Sequence, residues 1–200
     1  MLNVDAHKLG LPKARALPST CAKPDLKSGA NWIACAPPDV QAKFLNEMEE
    51  GELIALPFLF EFWAMEHQLP PEDVDDWRTW VVMGGRGVGK TRAGAEWVRS
   101  RVEGSRPLDA GECARVALVG ETIDQVREVM IFGDSGIMAC SPPDRRPVWQ
   151  AMRKRSVWPN GAVASVHSAH DPEGLRGPLA QGRCGKPPIQ LDQAHADGWR

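Results

Sequence analysis

The stretch Trp80-Val81-Val82-Met83-Gly84-Gly85-Arg86-Gly87-Val88-Gly89-Lys90-Thr91 decides the fold. Its first four residues are a short apolar run of the kind that forms a buried strand, and the bend that follows meets the spacing G-x-x-x-x-G-K-T. In that spacing, small residues let consecutive backbone N–H groups turn inward around an anion that side chains would otherwise block. Lys90 sets a compact positive charge against the β- and γ-phosphates of a nucleotide, and the Thr91 hydroxyl completes the coordination of phosphate-bound Mg²⁺. The expected cradle runs through Gly84, Gly85, Arg86, Gly87, Val88, Gly89, Lys90, Thr91 and Arg92, with Thr91 as the metal ligand.

The flanks agree with this reading. After Lys90, the residues Ala95, Val98 and Val102 recur at helical spacing, and Arg92 and Glu96 form an i, i+4 pair. The helix therefore opens on the bend and turns the positive end of its dipole toward it. A glycine-rich turn with no ligand is the plainer alternative, and the Lys-Thr pair between a strand and a helix argues against it.

Further along, Val116 to Val119 reads as a second strand, and Thr122 followed by Gln125 as a capping box opening a helix. Strand, loop, helix, strand, helix is the rhythm of a parallel sheet flanked by helices. The fold class expected is α/β, a P-loop core that is incomplete and carries disordered ends. Ser156-Val157-Trp158 and Ala162 to His167 flank Pro159-Asn160-Gly161, which predicts a hairpin.

Upstream, residues 1–37 lack periodicity and read as a disordered leader. Asp39 is placed to cap a helix carrying Val40, Phe44, Leu45 and Met48 on one face, and Leu53 to Met65 reads as a second helical segment. Phe62 and Trp63 suit a core better than a nucleobase platform, and Glu72 to Asp76 forms an acidic linker. His167 and His170 lie near Asp171 and Glu173, but their spacing fits no metal pattern and reads as an exposed loop.

The composition, 42% hydrophobic over 200 residues, allows one real core. No apolar run approaches the roughly 18 residues of a membrane span, and Lys8, Lys13, Arg15, Lys23 and Lys27 sit in a start with no signal-peptide core. The five cysteines are scattered without any Cys-x-x-Cys pair, so neither a disulfide framework nor a zinc site is expected and a cytoplasmic setting fits. Residues 1–80 hold 7 Lys/Arg against 13 Asp/Glu, and residues 81–200 hold 17 against 13, which makes the second part the anion-facing half. Within it, Arg145, Arg146, Arg153, Lys154 and Arg155 form a basic cluster that could touch a DNA backbone but reads first as solvated surface.

From Leu56 to Pro178 the chain resembles the large terminase subunit of tailed bacteriophages, most closely the version in gene transfer agents of alphaproteobacteria. The likeness is carried by Leu56 to Ala64 (LPFLFEFWA), by Trp77 to Arg99 (WRTWVVMGGRGVGKTRAGAEWVR), by Val157 to Ala162 (VWPNGA), and by Asp171 to Pro178 (DPEGLRGP). The resemblance implies an ATPase that drives double-stranded DNA into a procapsid together with a portal and a small terminase subunit. It implies that Lys90 holds the ATP phosphates, that Thr91 holds magnesium, and that Arg86 supplies the catalytic arginine carried inside the loop.

The family pattern then requires an apolar strand ending in Asp-Glu, and this sequence departs from it. Leu179 to Arg200 reads LAQGRCGKPPIQLDQAHADGWR, without a buried-strand run or an Asp-Glu dipeptide. The expectation is a partial motor domain over residues 38–178 and a non-homologous, disordered tail over residues 179–200, as a frameshift or early stop would leave. Such a chain binds ATP weakly and hydrolyses little, for want of metal anchoring and water positioning. The alternatives are a non-catalytic or unfolded remnant and, further off, a small-molecule kinase whose lid and acceptor residues are not recognisable.

Overall fold

The computed structural model describes residues 28–70 and 79–171. The chain divides into two compact units, Met1–Pro71 and Glu72–Arg200. The leader up to residue 27, the acidic linker Glu72 to Asp76, the stretch from Pro172 to Pro178 and the tail over residues 179–200 lie outside the described residues.

In the first unit, helix α1 (Gly29–Ala34) is capped by Ser28, whose side chain accepts the Asn31 N–H at 3.1 Å. This helix lies within the segment read above as a leader. Helix α2 (Pro38–Asn46) starts one residue earlier than expected: Pro38 takes the first position and Asp39 sits in the first turn without capping it. Proline suits that position because its φ is preset and its missing N–H has no helical partner to lose. The apolar run Leu53 to Met65 is broken into α3 (Glu50–Ala55), a 3₁₀ turn over Leu56–Phe58 and α4 (Phe60–Trp63). Pro57, unable to donate to the ladder, makes the break. Phe62 stacks on Phe44 with ring centroids 5.9 Å apart, and the Trp63 indole donates to the Leu56 carbonyl at 2.7 Å.

The second unit is built on helix α5 (Lys90–Val102) and four strands, β1 (Arg115–Gly120), β2 (Val148–Gln150), β3 (Arg155–Val157) and β4 (Val163–Ser168), in the order β1-β4-β3-β2. The sheet is mixed rather than parallel throughout. β1 pairs in parallel with β4, whereas β2, β3 and β4 meander antiparallel through the expected hairpin. Gly161 in the Pro-Asn-Gly turn has φ +85°, a conformation glycine adopts without steric cost. Helix α6 (Ile123–Gln125) starts at Thr122, whose hydroxyl accepts the Gln125 N–H at 3.1 Å. The return arm of the box is not made, and the Gln125 side-chain oxygen is buried without a partner. The chain then passes through a π-helical turn, Val126–Ile131, into α7 (Ile137–Cys140).

The core of this unit gathers Val98 and Val102 of α5, Val116 and Leu118 of β1, Ala164 and Val166 of β4, and Val126, Ile131 and Ile137. Each fully buried branched side chain contributes about 1.5–3 kcal/mol relative to exposure. The alternation on β1 and β4 sends Val116, Leu118, Ala164 and Val166 to one face, where they are paired in register.

Two expectations fail here. Trp80 to Met83 is not a strand: it has no regular structure, and none of the four strands pairs with it. An extended segment becomes a strand only when a neighbour takes up its N–H and C=O groups, and hydrophobicity cannot substitute for that neighbour. Trp80 packs against the core, while Val81 and Met83 are 66% and 83% exposed. The second correction concerns the cysteines: Cys35 and Cys113 are both disulfide-bonded, which their spacing did not suggest.

Candidate functional site

The bend between Gly84 and Gly89 is irregular backbone ending in the first residue of α5. Gly87 and Gly89 have φ +84° and +83°, a left-handed conformation that side chains resist, so the glycines at these two positions are required by the loop's path. A side-chain carbon added at Gly85 or Gly87 would meet nothing within 4 Å, so both positions face open space. At Gly84 the same atom would come within 2.8 Å of the Val88 side chain, which closes the loop from behind.

Lys90 occupies the first position of α5 and curls back over the bend. Its ammonium donates to the carbonyl of Gly84 at 2.7 Å and to that of Gly85 at 2.9 Å. Thr91 and Arg92 follow in the first turn, and the Ala93 N–H makes the first helical bond to the Gly89 carbonyl at 2.9 Å. Arg86 is exposed at the crest of the bend. Residues Gly84 to Arg92 are thus one continuous loop and helix start, with the Lys90 ammonium tied to the loop by two bonds.

The far end of α5 is tied to the edge where β1 and β4 begin. The Cys113 N–H donates to the Arg101 carbonyl at 2.8 Å, and the Asn160 side-chain amide donates to the Val102 and Asp109 carbonyls at 2.7 and 2.9 Å. A 13-residue helix is about 20 Å long, close to the length of a six-residue strand. Within this unit α5 packs on α7 and on the π-helical turn, and the opposite edge of the sheet is where the parallel strands β1 and β4 end.

Residues at that edge were not singled out by the bend. Ser168 donates from its hydroxyl to the Glu121 carbonyl at 2.6 Å, and the His170 ring lies 4.0 Å from the Glu121 carboxylate. His167, next to last in β4, is half-buried with its Nε2 unpartnered; burial lowers its pKa against the pull of Asp171. The signal for these residues is positional: they lie at or just after the ends of two strands, one of them recognisable as Val116 to Val119. Among the described residues no group of three or more His, Cys, Asp or Glu is arranged to hold a metal ion.

Seven consecutive residues of α5, Ala93 to Arg99, are buried, so the helix is enclosed rather than one-faced. Its charges survive enclosure by pairing along its length. Arg92 meets Glu96 at 2.6 Å, Glu96 meets Arg99 at 2.5 Å, and Arg99 meets Glu103 at 3.2 Å. Desolvation drives the Glu96 carboxyl above its usual range, opposed by Arg99 and Arg92. Behind it, burial and the Glu96 charge push the Cys140 thiol up to about 11.

A family model described as terminase large subunit, T4likevirus-type, N-terminal, matches residues 81–182, a little over half the chain. Comparisons with curated proteins and with solved structures gave no match.

Proposed function

The chain belongs to the terminase large-subunit family, and from that premise we propose that residues Gly84 to Arg92 bind ATP as part of a motor that packages double-stranded DNA. The observation that carries this reading is the bend itself: two left-handed glycines, uncrowded backbone at Gly85 and Gly87, and an ammonium at the head of a 13-residue helix. These features fit a triphosphate. The helix start and the backbone of Gly85 to Gly89 would cradle the phosphates, Lys90 would leave the Gly84 and Gly85 carbonyls for them, and Thr91 would help hold magnesium. Magnesium would supply neutralisation of the phosphate charge. Arg86, exposed on the crest, is the loop cation placed to meet charge developing on the transferred group.

Hydrolysis by this chain is expected to be slow. No Asp-Glu dipeptide occurs in its 200 residues, and positioning of metal and water accounts for most of the rate in P-loop enzymes. The unpaired Trp80 to Met83 segment favours the same conclusion, because the bend is anchored to the core by Trp80 and α5 and not by a strand. The reading is therefore of a nucleotide-binding domain with little turnover of its own, whose coupling to DNA, portal and small subunit belongs to the complete machine.

The test is titration of fluorescent ATP against the wild type and Lys90→Ala, with phosphate release followed in parallel. One or two charge-assisted bonds to phosphate, at about 1.5–3 kcal/mol each, less the two carbonyl bonds surrendered, predict a loss of affinity of roughly 10- to 100-fold. Equal affinity in both proteins would remove the site. Phosphate release at rates typical of P-loop enzymes would refute the slow-turnover part alone.

A further inference from the structure

We propose that the apex of the β2–β3 hairpin, Ala151 to Lys154, is a contact for the phosphate backbone of double-stranded DNA. The proposal rests on the packaging reading for the identity of the polyanion, and on the hairpin for its location. From Arg145 to His170 the sequence carries five Lys or Arg and no Asp or Glu, so the hairpin and its flanks form a one-sign region.

Three of those five cations hold the fold together. Arg145 donates to the Gly104 and Ser105 carbonyls at 2.6 and 2.8 Å, Arg146 to the Ser141 carbonyl at 3.3 Å, and Arg155 to the Gln150 side chain at 2.8 Å. Arg153 and Lys154 are different. Both are exposed at the apex, and neither has an ion-pair partner among the described residues. Between Ala151 and Arg153 the backbone makes a 3₁₀ turn, and Met152 at the tip is fully exposed.

Lys154 is also the one non-glycine residue among those described with a positive φ, at +48°. Lysine gains nothing local from that conformation, which glycine or asparagine would hold with less strain. Its backbone is fixed there on both sides: its N–H donates to the Ala151 carbonyl at 3.2 Å, and its carbonyl accepts the Val166 N–H at 2.9 Å. A cation kept on a strained, rigid tip points to a role for the cation. The apex is too small for a protein interface, which buries about 800 Å² on each partner, whereas a phosphate contact needs only a placed charge. Two such charges side by side on a rigid tip, next to one apolar side chain, suit a duplex backbone read without regard to sequence.

The experiment follows binding of labelled duplexes of two unrelated sequences to the full chain by fluorescence anisotropy across a salt series. Wild type is compared with Arg153→Ala/Lys154→Gly. Each phosphate contact contributes about 0.9 to the slope of log K against log salt, so loss of two should lower the slope by about 1.8 and weaken binding about 60-fold at 0.1 M salt. The loss should be equal on both sequences. Lys154→Gly alone should melt no lower than wild type, because it relieves the left-handed strain, which separates a binding defect from a folding one. Lys90→Ala should bind DNA as wild type does, so a failed ATP site and a failed hairpin contact give different results. The proposal is overturned if the slope is unchanged, if the wild-type chain does not bind duplex at low salt, or if the double variant changes only the protein's sedimenting mass, which would make the apex a protein contact.

Discussion

Replacing Asn160 should reveal how α5 is held to the sheet, and the order of two substitutions is more telling than either alone. The Asn160 amide donates to the Val102 carbonyl at 2.7 Å and the Asp109 carbonyl at 2.9 Å, while its oxygen accepts the Ala162 N–H at 3.0 Å. At about 1 kcal/mol for each partly buried bond and less for the exposed one to Asp109, Asn160→Ala should cost about 2–3 kcal/mol. Asn160→Asp preserves size and the bond from Ala162, but turns an oxygen toward two carbonyl oxygens at hydrogen-bond distance. It should therefore be worse than alanine by about 1 kcal/mol or more. With a urea m-value of about 1–1.5 kcal/mol/M, the alanine variant should lose about 2 M in midpoint with m unchanged. An alanine variant within about 0.5 kcal/mol of wild type, or an aspartate variant as stable as the alanine one, would refute the clamp.

Leu118→Ala, which empties a fully buried site on β1, should cost about 3–4 kcal/mol and lower the melting temperature by more than about 10 °C, whereas Met152→Ala at the exposed apex should stay within about 0.5 kcal/mol. Thermal melts distinguish the two, and similar losses would place the core wrongly. Burial holds the His167 pKa below the ordinary imidazole value of 6.5, so the unfolded chain takes up that proton first. The stability this confers is complete above pH 6.5 and is lost as the pH falls through 6.5 toward the folded value. Urea melts of wild type and His167→Gln should diverge in their pH dependence below that point, wild type falling faster; parallel curves would contradict the burial. Cys140, its thiol held near 11, should resist iodoacetamide in the native protein at mildly alkaline pH and react once urea unfolds it, as followed by peptide mass mapping. Rapid native labelling would show the site to be open.

What the sequence made legible is what local chemistry determines. The helix after Lys90, the strand around Val116 to Val119, the Thr122 cap and the turn at Pro159-Asn160-Gly161 all appear where spacing and turn residues put them. The run Trp80 to Met83 could not be settled this way, because an apolar segment becomes a strand through a partner and no composition records whether that partner is present. The apolar segment Leu53 to Met65 is helical as its composition suggests, but Pro57 divides it into short turns. The candidate site divides similarly. The spacing of Gly84 to Thr91 predicts a glycine-rich bend running into a helix, but the capture of Lys90 by the Gly84 and Gly85 carbonyls depends on the loop's path in space. The division of labour within the basic cluster was also invisible, since Arg145 is fixed by carbonyls 40 and 41 residues away.

The charge ladder of α5 sets an angular constraint on the helix. Arg92, Glu96, Arg99 and Glu103 run along one stripe of it, and three of the four side chains are enclosed to within a tenth of their surface. A roll of one residue about the helix axis, some 100°, would leave those charges facing hydrocarbon. Sliding or twisting of α5 is therefore opposed more strongly than bending of the glycine bend, and the azimuth at which Lys90 leaves the helix is keyed from within the fold before any ligand arrives.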